Sequence, residues 1–189
     1  MGAKATTAVL GDLIRKARET YTQPLYDSAD LTNGLATPVN FFTDITNKNA
    51  LQTSMLANAI LPYPRQFLVQ EVTVNPVANI TLADLQAILG GMYLQWFIGD
   101  KEYLTCPLFM APGGTGVTGL ADLTAAATLA AVNNGWAHPS ARLRLKTPGQ
   151  LIQSQENFRV TLTPPAAITL AATRRVWVFL WGLQLRAVQ

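Results

Sequence analysis

Charge is what this chain has least of. Asp, Glu, Lys and Arg make up 13% of its 189 residues, about half the share usual in a soluble domain, whereas apolar residues make up 49%. So few charged groups cannot cover a free-standing surface. Such a chain is either poorly soluble alone or has much of its outside covered by neighbours. Cysteine is almost missing too. Cys106 is the only one, so no disulfide can close within the chain and export to an oxidising compartment gains no support. His138 is the only histidine. One histidine and one cysteine cannot build a zinc or iron site of the usual kind, so no metal and no cofactor is expected.

Catalytic patterns are lacking as well. A nucleophilic triad would have to recruit His138, which precedes Pro139 in a turn-like stretch, and no serine sits in a nucleophile elbow. Asp27 and Asp30 lie beside Gly34 in "YDSADLTNG", but that spacing, with no closing glutamate, does not make a calcium loop. "APGGTGVTG" has the glycines of a phosphate loop without its Lys-Ser/Thr; those glycines read as turns. The start lacks the apolar core and cleavage site of a signal peptide. "MGAKAT" fits the loose myristoylation pattern through Gly2 and Thr6, which needs a eukaryotic transferase. The chain reads as a non-enzyme with no small-molecule substrate.

What is present is strand texture, in a length that suits one domain with a real core. "RRVWVFLWGLQLR", Arg174 to Arg186, holds ten residues between its inner arginines, half of the ~20 that a membrane-spanning helix needs. Its Val, Trp and Phe favour a strand. Trp177, Phe179, Trp181, Leu183 and Leu185 share one face; Val176, Val178, Leu180 and Val188 share the other. Both faces are apolar, so both are expected to be buried, with Trp177 and Trp181 in packing roles. Trp136, in "NNGWAHP", is the tryptophan expected to reach a loop surface.

Further strands follow the same logic. "PRQFLVQEVTVNP" is bounded by prolines, with Leu68, Val72 and Val74 on one face. "GGMYLQWFIGDKEYLTCPLF" predicts a hairpin turning at Gly99-Asp100. "ARLRLK" alternates, with Leu143 and Leu145 inward and Arg142, Arg144 and Lys146 outward. "ENFRVTLTPP" repeats the pattern through Phe158, Val160 and Leu162.

Two helices interrupt the strands. "NITLADLQAILGG" offers Thr81 or Asn79 as N-cap and Gly90-Gly91 as its stop. Near the start, Val9, Leu10, Leu13, Ile14, Ala17 and Tyr21 form one helical face, with Arg15, Lys16 and Arg18 off it. Residues 111–135 are Gly/Ala/Thr-rich and read as a long loop of undecided exposure. The predicted fold is all-β: an antiparallel two-sheet jelly-roll sandwich of about seven or eight strands, with one short inserted helix and an N-terminal helical arm. Residues 1–40 are the expected arm and residues 41–189 the single jelly-roll domain.

The net charge of +3 is unevenly placed. From Arg142 onward there are seven basic residues against Glu156 alone; everything before carries seven bases and ten acids. Arg142, Arg144 and Lys146, with Arg15, Lys16 and Arg18 on the arm, are therefore the candidate residues for an intersubunit, genome-facing or lipid-facing role. The simpler alternative is a solvated strand face.

"FLVQEVTVNP", a short helix, "GGMYLQWFIGDKEYLTCPLFMAPGG", "LKTPGQLIQSQENFRVTLTPP" and "RRVWVFLWGLQLRAVQ" follow one another from Phe67 to Gln189. In strand order and texture this resembles the single-jelly-roll capsid proteins of icosahedral, tailless bacteriophages with an internal membrane. The resemblance implies a viral structural protein, a shell-building subunit that self-assembles through side-by-side contacts and its arm. It further implies a virion protein made in the host cytoplasm. Its partners would be copies of itself, other capsid proteins, and the viral genome or internal membrane lipid. The family has no catalytic residues to carry over. A carbohydrate-binding β-sandwich and a decoration or tail-adaptor protein of a tailed phage are the rival readings.

Overall fold

Alternating apolar residues can be buried on one side only if strands pair into sheets, and that pairing organises this molecule. The computed structural model describes Gly11 and residues 19–76, 80–111 and 143–186. Among the described residues, ten strands run in the order β1 (Glu19–Tyr21), β2 (Leu25–Leu31), β3 (Val39–Phe41), β4 (Arg65–Pro76), β5 (Tyr93–Ile98), β6 (Lys101–Pro107), β7 (Leu143–Arg144), β8 (Gln150–Ile152), β9 (Phe158–Thr163) and β10 (Arg174–Arg186). Helix α1 (Leu82–Gly91) lies between β4 and β5. Every strand pairing is antiparallel.

The strands form two sheets. In the first, β10 pairs with β4 on one side and with β1 and β2 on the other, while β4 also pairs with β7 and β8. It is thus four strands wide, its edges each made of two short pieces. The second sheet has the order β3-β9-β5-β6. The all-β, two-sheet architecture with a short inserted helix is as expected. Val72 and Val74 of β4 and Val176, Val178 and Leu180 of β10 are buried in one core with Leu94, Trp96 and Ile98 of β5 and Phe158, Val160 and Leu162 of β9. Each such side chain removed from water contributes roughly 1.5–3 kcal/mol.

The predicted hairpin turns where expected, with Gly99 at φ +57°, and Lys101 pairs with Ile98 across it. Thr81 caps α1, its hydroxyl accepting from the Asp84 amide at 3.2 Å. Asp84 is itself buried, and its carboxylate accepts from the Ala171 amide at 2.7 Å and from Arg174 Nε at 2.6 Å. The first turn of α1 is thereby tied to the chain entering β10.

Three expectations are corrected. Leu68 does not share a face with Val72 and Val74. Trp181 pairs with Glu71 but Gly182 pairs with Val69, so Gln70 is an extra residue, a β-bulge that reverses the alternation. Val69 and Phe67 then join the core in place of Leu68. Second, a boundary at residue 40 does not coincide with the edge of the fold: β2 pairs with β10 from Leu31 through Leu25, and β1 pairs with it from Glu19 through Tyr21. Asp27, buried, and Asp30 are of a residue type depleted in strands, which hid β2 in the sequence. Third, the two faces of β10 are not equally buried: Trp177, Phe179 and Trp181 are only half-buried. Of the predicted N-terminal helix, Gly11 is helical but Tyr21 belongs to β1, paired with Gln184; its other residues, and the 111–135 loop beyond Ala111, lie outside the described residues.

Gly182 is required at the bulge, because a Cβ there would overlap the Leu68 carbonyl oxygen. Gly182→Ala should therefore lose about 3 kcal/mol in urea unfolding, whereas Gly90→Ala, with open space around it in α1, should gain about 0.5 kcal/mol.

Asp84 gives a pH signature. Burial raises its carboxyl pKa, but the hydrogen bonds from the Ala171 amide, Arg174 and Thr81 outweigh burial and hold it below the usual range. A folded-state value below the unfolded one stabilises the fold above the unfolded pKa of about 3.9, and that contribution is lost as pH falls through the folded value. Asp84→Asn should cost about 2 kcal/mol at pH 7 and flatten the acid limb of stability measured below pH 4.

Candidate functional site

The outer faces of the two sheets differ in chemistry. On the second sheet the outward residues satisfy one another. Gln95 Nε2 donates to Glu102 at 2.9 Å, the Thr105 hydroxyl donates to the same carboxylate, and the Thr161 hydroxyl donates to Asn40 at 2.8 Å. The Arg159 guanidinium lies 4.3 Å from the Phe97 ring centre. Tyr93 and Phe97, on the same side of β5 as Gln95, are half-buried, so this face mixes polar and aromatic side chains.

The outer face of the first sheet is aromatic. Register sets Phe179 opposite Tyr26 and Trp177 opposite Ser28. The Phe179 ring centre is 5.7 Å from those of both Tyr26 and Trp181, stacked on the latter at 21°. The indole nitrogens are engaged at the surface: Trp177 Nε1 donates to the Leu51 carbonyl at 3.0 Å and Trp181 Nε1 to the Thr73 hydroxyl at 2.9 Å. Leu51 itself is 81% exposed. The face consists of aromatic rings with their polar handles satisfied, an arrangement suited to contact with another surface.

Two ion pairs stand at the corners of this face. Arg175 holds Asp30 through Nε at 2.7 Å and a second guanidinium nitrogen at 2.8 Å. That hydrogen bond holds the Asp30 carboxyl below its ordinary range and pushes the Arg175 guanidinium up. At the other corner Arg144 Nε meets Glu71 at 2.9 Å.

The free edge of β2 is closed by the chain between β3 and β4. Ser54 donates its amide to the Tyr26 carbonyl at 2.9 Å, and Thr53 bridges to Asp27. Asp27, fully buried, accepts from the Phe42 amide at 2.6 Å and from Lys48 Nζ at 2.8 and 2.9 Å. An exposed edge would invite unwanted pairing, and this segment covers it. Beside it lies an open cavity of about 180 Å³ lined by Ser28, Asp30, Asn47, Lys48, Gln52 and Arg175. Both of its cations are already paired with Asp27 and Asp30, which leaves a charge-balanced hollow.

Of the residues singled out in the sequence, Arg144 is in β7 and is engaged by Glu71 of its own chain, and Lys146 is exposed just beyond that strand. Leu143 and Leu145 pack against the core as expected. Arg142, Arg15, Lys16, Arg18, His138 and Trp136 lie outside the described residues. Cys106 is buried, and burial pushes its thiol up. Among the described residues there is no group of three His, Cys, Asp or Glu side chains placed to hold a metal, and no helix long and apolar enough to cross a membrane. Sequence reasoning missed Tyr26 and Asp30 as surface residues. Their signal was the alternation Tyr26, Ser28, Asp30, which the buried polar residue between the first two obscured.

Lys48→Met leaves Asp27 buried with one remaining donor, and should cost about 3 kcal/mol at neutral pH. Adding Asp27→Asn removes the stranded charge and should recover most of the loss in the same denaturation measurement.

No family model matches this chain, and no curated protein matches it by sequence. What the molecule does has to be read from its faces.

Proposed function

We propose that this chain is a shell-building capsid subunit with a single jelly-roll fold, working as a structural protein of the virion rather than as an enzyme. The strand order supports the fold assignment. One sheet reads β2-β10-β4 with β8 beyond β4, and the other reads β3-β9-β5-β6. The chain changes sheet at β2 to β3, β3 to β4, β4 to β5, β6 to β7, β8 to β9 and β9 to β10. Two nested Greek keys have this order.

Fold does not determine function. The observation that carries the assembly reading is the outer face of the first sheet, where Tyr26, Trp177, Phe179 and Trp181 form one half-buried aromatic patch. A protein with 13% charged residues and such a face gains by burying it against other subunits. Its partners are copies of itself and other capsid proteins, with genome or lipid reserved for basic segments such as Lys146 and the N-terminal arm.

Electron microscopy and sedimentation of the purified full chain test this reading. Regular particles or ordered oligomers are expected, lost in the Trp177→Gln/Phe179→Gln pair while circular dichroism stays β-rich. A chain that stays monomeric under all conditions overturns it. The arm is tested by removing residues 1–18, which leaves β1 and β2 in place. A truncated chain that folds but no longer assembles is the expected outcome. Aggregation on expression would mean that the segment serves its own fold instead.

A further inference from the structure

The hollow beside β2 holds hydrogen-bonding groups that the fold itself leaves unused. It arises from the way the β3–β4 segment covers that edge. Ser54 donates its amide to the Tyr26 carbonyl and Thr53 bridges to Asp27, and the pairing goes no further along β2. The cavity of about 180 Å³ lies beyond it, between Ser28, Asp30 and Arg175 on one wall and Asn47, Lys48 and Gln52 on the other. An antiparallel strand presents every second backbone unit to the same edge. The Tyr26 carbonyl faces this edge, so the Ser28 carbonyl and the backbone groups of Asp30 face it too.

Side chains add to these groups. Ser28 is 2% exposed and lines the hollow, yet its hydroxyl has no hydrogen-bond partner among the described residues. Buried polar groups are ordinarily paired, so this hydroxyl is set to bond whatever enters. The Asn47 amide across the hollow likewise has no partner among the described residues. Gln52 uses its side-chain oxygen, which accepts from the Asn49 amide at 3.1 Å, and keeps its NH₂ group free. Lys48 and Arg175 are each committed to a carboxylate. An ammonium carries three N–H groups and a guanidinium five, so each retains a donor.

We propose that this hollow binds one neutral, hydroxyl-rich ring, a single saccharide unit. Charge disfavours ions: Asp27 and Asp30 already balance Lys48 and Arg175, so an anion would enter beside two carboxylates and a cation beside two bases. An apolar ligand would strip water from the open donors and carbonyls without replacing it. A hydroxyl both donates and accepts, which is what a wall of amide, hydroxyl, carbonyl and carboxylate groups can meet. The volume equals the share of roughly six liquid waters, which suits a single ring and falls below the ~300 Å³ at which pockets for larger ligands begin. Trp177 is the register partner of Ser28 and donates its indole N–H to Leu51, next to Gln52. An aromatic ring therefore stands next to the site, and such a ring suits the apolar C–H face of a sugar.

The inference does not rest on the capsid reading. The full chain is titrated separately with glucose, galactose, mannose, N-acetylglucosamine and inorganic phosphate, with sugar binding read by saturation-transfer NMR and phosphate by its displacement of the sugar signal. At least one sugar should bind in the millimolar range, the level that a ligand of about twelve heavy atoms reaches. Ser28→Ala removes a hydroxyl that the fold does not use, so the melting temperature should stay unchanged while binding weakens about fivefold. Asn47→Gly removes the amide and tolerates the φ of +61° found there; it should weaken binding by a similar factor.

A chain that binds none of the four sugars at concentrations up to about 50 mM overturns the proposal. So does sugar binding that both substitutions leave unchanged, since it would lie elsewhere on the molecule. Phosphate that displaces the sugar at a lower concentration than the sugar itself requires would make the hollow an anion site and overturn it as well. A melting temperature lowered by Ser28→Ala would show that the hydroxyl serves the fold, with the same consequence. Sugar binding by a chain that never assembles would keep this site and remove the capsid reading, and particles that bind no sugar would do the reverse.

Discussion

The rest of the molecule depends on the pairing of β10 with β4. Eleven residue pairs join them, from Val176 with Pro76 to Arg186 with Arg65, and β10 also carries β1 and β2 on its other side. A strand hydrogen-bonded on both sides cannot slide without turning its apolar residues out of the core. The register of β10 therefore places Val176, Val178 and Leu180 inward and Trp177, Phe179 and Trp181 outward, and it sets the pair Asp30–Arg175 two residues along the strand from Trp177.

The bulge at Gln70 divides this pairing into two parts. Above it, β4 presents Val72 and Val74 to the core; below it, Val69 and Phe67 do so. Without the extra residue the lower half of β4 would turn Leu68 inward and leave Phe67 outside. Gly182 stands opposite because the β4 backbone comes too close there for any side chain. Local irregularity thus preserves a continuous core through a long strand pair, as bulges in twisted sheets commonly do.

Polar groups within the fold act mainly as fasteners. Asp84 joins α1 to the start of β10, and Asp27 with Lys48 joins the β3–β4 segment to the edge of β2. Both carboxylates are buried and both are supplied with backbone and cationic donors, as buried charge requires. The outer ion pairs differ: Asp30–Arg175 and Glu71–Arg144 sit at the surface, where such pairs contribute little to stability. One set of charges positions the chain on itself, and the other leaves a pattern on an aromatic face.

The sequence by itself determined the strands with strong alternation. β4, β5, β6 and β9 were legible because apolar side chains recur every second residue, β10 from its run of Val, Trp and Phe, and α1 from its cap and spacing. The Gly99 turn was legible because positive φ favours glycine. β2 was not, since its inward Asp27 is tolerable only when Lys48 and the Phe42 amide reach it from a distant segment. The inward side of lower β4 was not legible either, because the bulge exists only relative to β10. Nor could composition separate the two faces of β10: both are apolar, and burial depends on whether another sheet lies opposite. Tertiary structure decided that Val176, Val178 and Leu180 face the second sheet, while Trp177, Phe179 and Trp181 are left for the outside.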